Sequence, residues 1–181
     1  GRTYALNYNP GGDLLAVGCV GLRDIKYPVL LYSLKSTKTN PIVFIGHTNT
    51  ISQIAFSKDG QWLVSGSSDR TARVWKLTNP KELPVILDGF KGDVFDVVIS
   101  PDQKHLAVSS GDFSIHIWEL DNLSNPPEIL HAHENWVSGI SYSPDSKKLL
   151  SASWDKQARI WDLEHSLGLP VEVRGASMGV Y

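Results

Sequence analysis

The sequence predicts an all-β fold made of four repeated units, each of four antiparallel strands, and three observations predict it. An aromatic residue returns at a fixed interval, with Tyr32, Trp75, Trp118 and Trp161 each 43 residues apart. Apolar residues come in short alternating runs bounded by Gly, Pro, Asp and Ser, a period that belongs to strands and not to helices. The turns Ser57-Lys58-Asp59, Ser100-Pro101-Asp102 and Ser143-Pro144-Asp145 also recur every 43 residues. A period of this size denotes a supersecondary unit that buries its apolar faces by stacking on its neighbours.

The second unit, 46–77 with its following strand, is the best formed. Residues 51–56 alternate as a first strand, closed by Ser57-Lys58-Asp59-Gly60, where Asp and Gly supply turn hydrogen bonding and a permissive backbone. Residues 62–67 form the second strand, and Ser68-Asp69-Arg70 reverses the chain into a third over 72–77, rich in β-branched and aromatic side chains. After Asn79-Pro80, a short fourth strand over 84–87 carries a proline that suits an exposed edge, where a missing N–H breaks no ladder. The other units follow this order. In the first, Asn9-Pro10-Gly11-Gly12 is the turn, and an insertion over 20–28 lengthens the connection between the second and third strands. Residues 164–168 read as a connector, and helices have almost no place in the pattern.

Composition excludes several functions. Seventeen basic and nineteen acidic side chains leave a net charge of −2, so no whole-molecule field draws in nucleic acid or anionic lipid. The lone Cys19 forms no internal disulfide and suits a reducing, cytoplasmic setting. No apolar run approaches a membrane span, and the first residues lack the basic and apolar segments of a signal peptide. The start at Gly1 and a tail over 175–181 that looks like the opening of a further unit suggest a piece cut from a longer pattern.

Gly46-His47, Ser65, Asp69 and Trp75-Lys76, with Trp161-Asp162 in the last unit, give the chain its resemblance to the WD-repeat β-propeller family. The resemblance implies a radial fold of four-stranded blades, over about 3–45, 51–88, 94–131 and 137–174, with 175–181 starting a further repeat, all within one propeller region over 1–181. Propellers close with about four to eight blades, so a fragment of a larger disc, or a chain completed by association with further blades, is expected. The resemblance also implies a buried hydrogen-bond network through His47, Ser65, Asp69 and Trp75, with a second through His133, Ser151, Asp155 and Trp161. In the third unit Phe90 and Val108 replace the histidine and serine while Asp112 and Trp118 remain. The two losses are coupled, because a buried hydroxyl without its partner costs about 1–3 kcal/mol.

These sets are read as structural and not catalytic. Each recurs within one chain and each ends on an indole, which only donates a hydrogen bond. His131 and His133 fall short of the ligand count of a zinc site, and no phosphate-binding glycine loop or activated-nucleophile motif is present. Asn122-Leu123-Ser124 matches a glycosylation acceptor, a pattern common by chance. No catalytic residue, metal or cofactor is expected. An enzyme would need polar residues around a central channel, and the first-strand residues expected there, Ile51, Ile54, Val94, Val97, Val137 and Ile140, are apolar.

What remains is surface. The resemblance implies that partners dock on the narrower face, at the strand mouths on the Gly-His side. By repeat position this face holds Thr50, Ser52 and Ser68; Asp93, Phe95 and Gly111; Trp136, Ser138 and Trp154; and Arg2 and Tyr4 from the first blade. Phe95, Trp136 and Trp154 have the composition of an interaction hot spot, the alternative being that they pad the gaps between blades. The function expected is a non-catalytic scaffold or sensor platform that binds protein or peptide, with no nucleic acid or membrane partner. The alternatives are the regulatory sensor propeller of a larger signalling enzyme, a propeller enzyme, and a nucleic-acid-binding platform.

Overall fold

Short alternating runs separated by Ser-x-Asp turns become four antiparallel sheets in a computed structural model that describes residues 2–20, 25–36, 40–131, 133–164 and 170–173. The first sheet contains β1 (Arg2–Tyr8), β2 (Leu14–Val20), β3 (Val29–Ser33) and β4 (Ile42–Phe44). The second contains β5 (Ile51–Phe56), β6 (Trp62–Ser67), β7 (Thr71–Lys76) and β8 (Val85–Leu87). The third contains β9 (Val94–Ile99), β10 (His105–Ser110), β11 (Ser114–Glu119) and β12 (Glu128–His131). The fourth contains β13 (Val137–Tyr142), β14 (Lys148–Ser153), β15 (Ala158–Asp162) and β16 (Val171–Val173). In each sheet the strands pair in chain order. Pro41, Pro84, Pro127 and Pro170 stand immediately before the outer strands, so β8 begins at Val85 and not at 84. Among the described residues the helical content is one 3-10 turn, Leu120–Asn122. Part of the 20–28 insertion, most of the 164–168 connector and the 175–181 tail lie outside the described residues.

The recurring turn has a simple chemistry. Ser57 Oγ donates to Asp59 Oδ1 at 2.5 Å and accepts from Trp62 N at 2.9 Å, and Ser100 does the same with Asp102 and His105. The last turn residue adopts a left-handed conformation at Gly60, Gln103 and Ser146. Gln103 and Ser146 also reach back to the preceding sheet, accepting from Asp59 N at 2.8 Å and Asp102 N at 3.0 Å.

The sheets stack in a row through their inner strands, with β1 against β5, β5 against β9 and β9 against β13. Among the described residues the row is not closed. Each core therefore lies between two sheets: Val64, Val74 and Leu87 of the second face Val94, Val97 and Trp118 of the third. Gly66 permits this approach, since a Cβ there would fall 2.7 Å from Val94 Cγ1, and Gly18 does the same for Ile51. Uncovered faces remain at the two ends. Leu150 is 44% exposed where its counterparts Val64 and Ala107 are buried, and Leu6 is 61% exposed where Ile54 is buried.

The assignment of Ile51, Ile54, Val94, Val97, Val137 and Ile140 to a channel wall is corrected here. All six are buried in the cores between sheets. A β-bulge in every inner strand is the cause, breaking register between Thr3 and Ala5, Ile51 and Gln53, Val94 and Asp96, and Val137 and Gly139. One extra residue brings positions three apart onto the same face. Polar groups on the inner strands instead connect neighbouring sheets. Asn7 Nδ2 donates to Ile54 O at 3.1 Å, Ser52 Oγ donates to Val94 O at 2.6 Å, and Asp96 Oδ2 accepts from Ile140 N at 2.9 Å. Apolar character of the inner strands is thus no ground for excluding chemistry near the axis.

Candidate interaction face and the network beneath it

The second sheet joins His47, Ser65, Asp69 and Trp75 in one continuous path. Trp75 Nε1 donates to Ser65 Oγ at 2.9 Å, Ser65 Oγ lies 2.8 Å from His47 Nε2, and His47 Nδ1 lies 2.8 Å from Asp69 Oδ2. One polarity satisfies every member: the neutral imidazole donates from Nδ1 to the carboxylate and accepts the serine proton at Nε2. Asp69 also accepts from the backbone of Thr48 and from the backbone and hydroxyl of Thr71. Burial pushes its carboxyl up, but the bonds from His47 and Thr71 and the Thr48 N–H outweigh this and hold it well below the usual carboxylate range. His133, Ser151, Asp155 and Trp161 repeat the geometry, with the same three distances. Gln157 N takes the place of Thr71, and Asp155 is again held low against burial by His133 and the backbone.

Ser65 and Ser67 divide the work. Ser67 Oγ donates to Asn49 O at 3.1 Å and accepts from Asp69 N at 3.1 Å, tying the loop before β5 to the β6–β7 turn. Ser110 and Ser153 make the same two bonds in their sheets.

The third sheet holds a rerouted network that the sequence did not disclose. Phe90 and Val108 occupy the histidine and serine positions, but His116, paired across from Val108, enters from β11. Its Nε2 lies 2.9 Å from Ser114 Oγ, and Ser114 donates to Asp112. The His116 ring packs 4.6 Å from Phe90 and stacks on Trp118 at 5.7 Å. Burial pushes the imidazole toward its neutral form, with Asp112 opposing. The available signal was the exchange of Arg73 and Arg159 for histidine at the equivalent position, which becomes readable only once strand register is known.

Above these networks lies the face built from three repeat positions. The bulges place Tyr4, Ser52, Phe95 and Ser138 at the extra residue of each inner strand, where a side chain is re-aimed out of the ladder. In the second, third and fourth sheets the carbonyl two residues before the bulge accepts the N–H of the turn residue ahead of the network aspartate. These bonds are Ser68 N to Thr50 O, Gly111 N to Asp93 O and Trp154 N to Trp136 O, at 2.8–2.9 Å. Thr50, Ser52, Ser68, Asp93 and Gly111 are half-buried and Ser138 is exposed. Tyr4 is exposed at the uncovered first sheet; Arg2 is described only as strand backbone.

Three aromatics on this face form a chain of contacts through Trp136. Phe95 and Trp136 have ring centroids 5.7 Å apart across the boundary between sheets, and Trp136 and Trp154 are 5.3 Å apart within the fourth. Trp136 is 42% exposed and Trp154 63%. Gly111 makes room at the edge of the cluster, since a Cβ there would lie 3.2 Å from Phe95 Cε2. His131 ends β12 at the periphery, paired with Ser114, apart from the network that holds His133.

A family model described as "WD domain, G-beta repeat" matches three times, over 38–76, 81–119 and 124–162, more than half of the chain. The chain belongs to the WD-repeat family. Each matched WD repeat begins near the outer strand of one blade and ends on the third strand of the next, so the repeat is staggered against the blade. Among relatives, jouberin of Rattus norvegicus is 41% identical over 73 residues, 40% of this chain and 7% of jouberin. The target of rapamycin complex subunit LST8 of Saccharomyces cerevisiae is 36% identical over 53 residues, 29% of this chain and 18% of that subunit. The periodic tryptophan protein 2 homolog of Neurospora crassa is 37% identical over 73 residues, 39% of this chain and 7% of that protein. Each match therefore spans less than a fifth of the relative's length.

Proposed function

We propose that this chain is a non-catalytic interaction platform whose bulge-and-turn face binds a protein or peptide partner, working within a larger WD-repeat propeller. The observation that carries the reading is the contact among Phe95, Trp136 and Trp154, with both indoles substantially exposed. Exposed, mutually supported aromatics are the side chains that dominate interface energetics. The recurrent turn bonds hold them in place, so little ordering entropy is lost on binding. The name of LST8 describes a subunit of a complex, which agrees with a platform role. The apolar end faces at Leu6 and Leu150 favour further blades as neighbours, and the near-neutral charge favours protein over nucleic acid or membrane in a cytoplasmic setting. A sensor propeller attached to a signalling enzyme is a special case of the same role.

Replacing Trp136 and Trp154 together with Ala tests it. The expected outcome is an unchanged melting temperature and loss of the proteins that the parent chain retains. Unchanged retention would mean that the rings only fill space between blades.

A further inference from the structure

We propose that the Phe95–Trp136–Trp154 cluster, together with Asp93, receives a cationic side chain, lysine or arginine, carried by a peptide segment of a partner protein. This rests on the interaction-face reading above and names the chemistry of its ligand.

The rings fan rather than stack: Phe95 and Trp136 are tilted by 38°, Trp136 and Trp154 by 54°. Their faces are therefore not consumed by one another, and an indole face is the strongest of the side-chain sites for a cation. Asp93 stands beside this surface. A Cβ on Gly111 would lie 3.3 Å from Asp93 N and 3.2 Å from the Phe95 ring, so both residues border the same bare glycine. Among the bulge and turn positions of the second, third and fourth sheets, Asp93 is the charged residue. Its backbone carbonyl is engaged by Gly111 N, while its carboxylate takes no hydrogen bond among the described residues. An aromatic surface with an acidic residue on the backbone beside it complements a cation and discriminates against an anion.

Two further observations agree. Asp96, one residue beyond Phe95, accepts from Val97 N, Ile140 N and the Gln53 side chain; burial raises its carboxyl above the usual range, and among the described residues it has no ion-pair partner. The cation–ring contact among the described residues is elsewhere, Lys76 over Trp62 at 5.9 Å. In the second, third and fourth sheets, basic residues at this end stand on loop tips: Arg70 and Lys156 at left-handed turn positions beyond the network aspartates, and Lys91 in the loop before β9.

The test follows the two indole N–H signals of Trp136 and Trp154 by NMR while the chain is titrated with acetyl-Gly-Gly-Arg-Gly-Gly-amide and its Lys and Gln counterparts. The Arg and Lys peptides are expected to shift both signals, with the Gln peptide weaker by about tenfold. Asp93→Asn is expected to weaken the two cationic peptides several-fold, with melting unchanged. Equal response to the Gln peptide, or no effect of Asp93→Asn, overturns the cation while leaving the interaction face standing. If no peptide moves either indole the inference also falls, and unchanged partner retention by the Trp136, Trp154 double variant would show that the face reading falls with it.

Discussion

Converting the second sheet's network into the third sheet's version should cost less than its parts suggest. Ser65→Val alone strands two buried atoms, His47 Nε2 and Trp75 Nε1, both of which lie within 2.9 Å of the hydroxyl. At about 1–3 kcal/mol per stranded group, the expected loss is ~3 kcal/mol. His47→Phe alone leaves the Ser65 hydroxyl without its acceptor and removes one of four donors from Asp69, for about 2 kcal/mol. The double variant removes the hydroxyl and the imidazole together. Only the Trp75 indole is left stranded, and Asp69 keeps Thr48 N, Thr71 N and Thr71 Oγ1. It should therefore lose about 2–3 kcal/mol rather than the ~5 kcal/mol of the two singles combined. Adding Arg73→His should recover about 1 kcal/mol more, since His116 gives Trp118 a stacked ring at 5.7 Å in the third sheet. The exchange also lifts the guanidinium off Gly46, as at Gly89 of the third sheet, where a Cβ would meet nothing within 4 Å. Urea unfolding of the four variants measures the coupling. Additivity within about 0.5 kcal/mol would refute the reasoning, because it would mean that Ser65 and His47 do not act in one network.

Acid should weaken the two intact networks. Asp69 and Asp155 are both held below their ordinary carboxyl value of 3.8, so their stabilisation is fully present above about pH 4 and is lost as pH falls toward the native value. Asp69→Asn should lower the unfolding midpoint at neutral pH and flatten the acid limb between about pH 4 and 2, read from thermal melts across that range; an acid limb as steep as the parent's would contradict this. Gly66→Ala should cost about 1–3 kcal/mol by driving a methyl into Val94 and Val97, more than Gly60→Ala, whose Cβ meets nothing and whose left-handed backbone costs about 1 kcal/mol. Melting temperatures of the pair decide the order.

Strand positions, the blade period and the residues of the two intact networks were legible because each depends on residue type at fixed spacing. A histidine, a serine 18 residues on, an aspartate and a tryptophan are visible without coordinates. Three things depended on register instead. The sequence alone sets Ile51 and Ile54 on a channel wall, but the bulge at Ser52 turns both into the core between sheets. The pairing of Val108 with His116 is a cross-strand fact, so the exchange of a histidine on the Gly-His loop for one on β11 could not be seen along the chain. The bonds from Asn7, Ser52 and Asp96 to neighbouring blades end on backbone atoms, which carry no residue signature. The face residues were placed by repeat position alone, but contact among Phe95, Trp136 and Trp154 depends on how two blades meet.

The networks and the face are parts of one device. In the fourth blade Asp155, fixed by His133, follows Trp154 directly, and its own N–H is held by Ser153 Oγ, which also donates to Asn135 O beside Trp136. Trp154 N then closes on Trp136 O. Every backbone segment carrying the exposed indoles is thus tied to the buried path that ends on Trp161. The second blade has the same bonds but presents Thr50, Ser52 and Ser68, so the network sets the rigidity of the display while the residues at three positions set its content. The same bonds thus lie beneath different face residues in the two blades. This arrangement also explains how the third blade could exchange its histidine and serine for a rerouted path: Ser110, Asp112 and the Gly111–Asp93 bond, which hold the face, are retained.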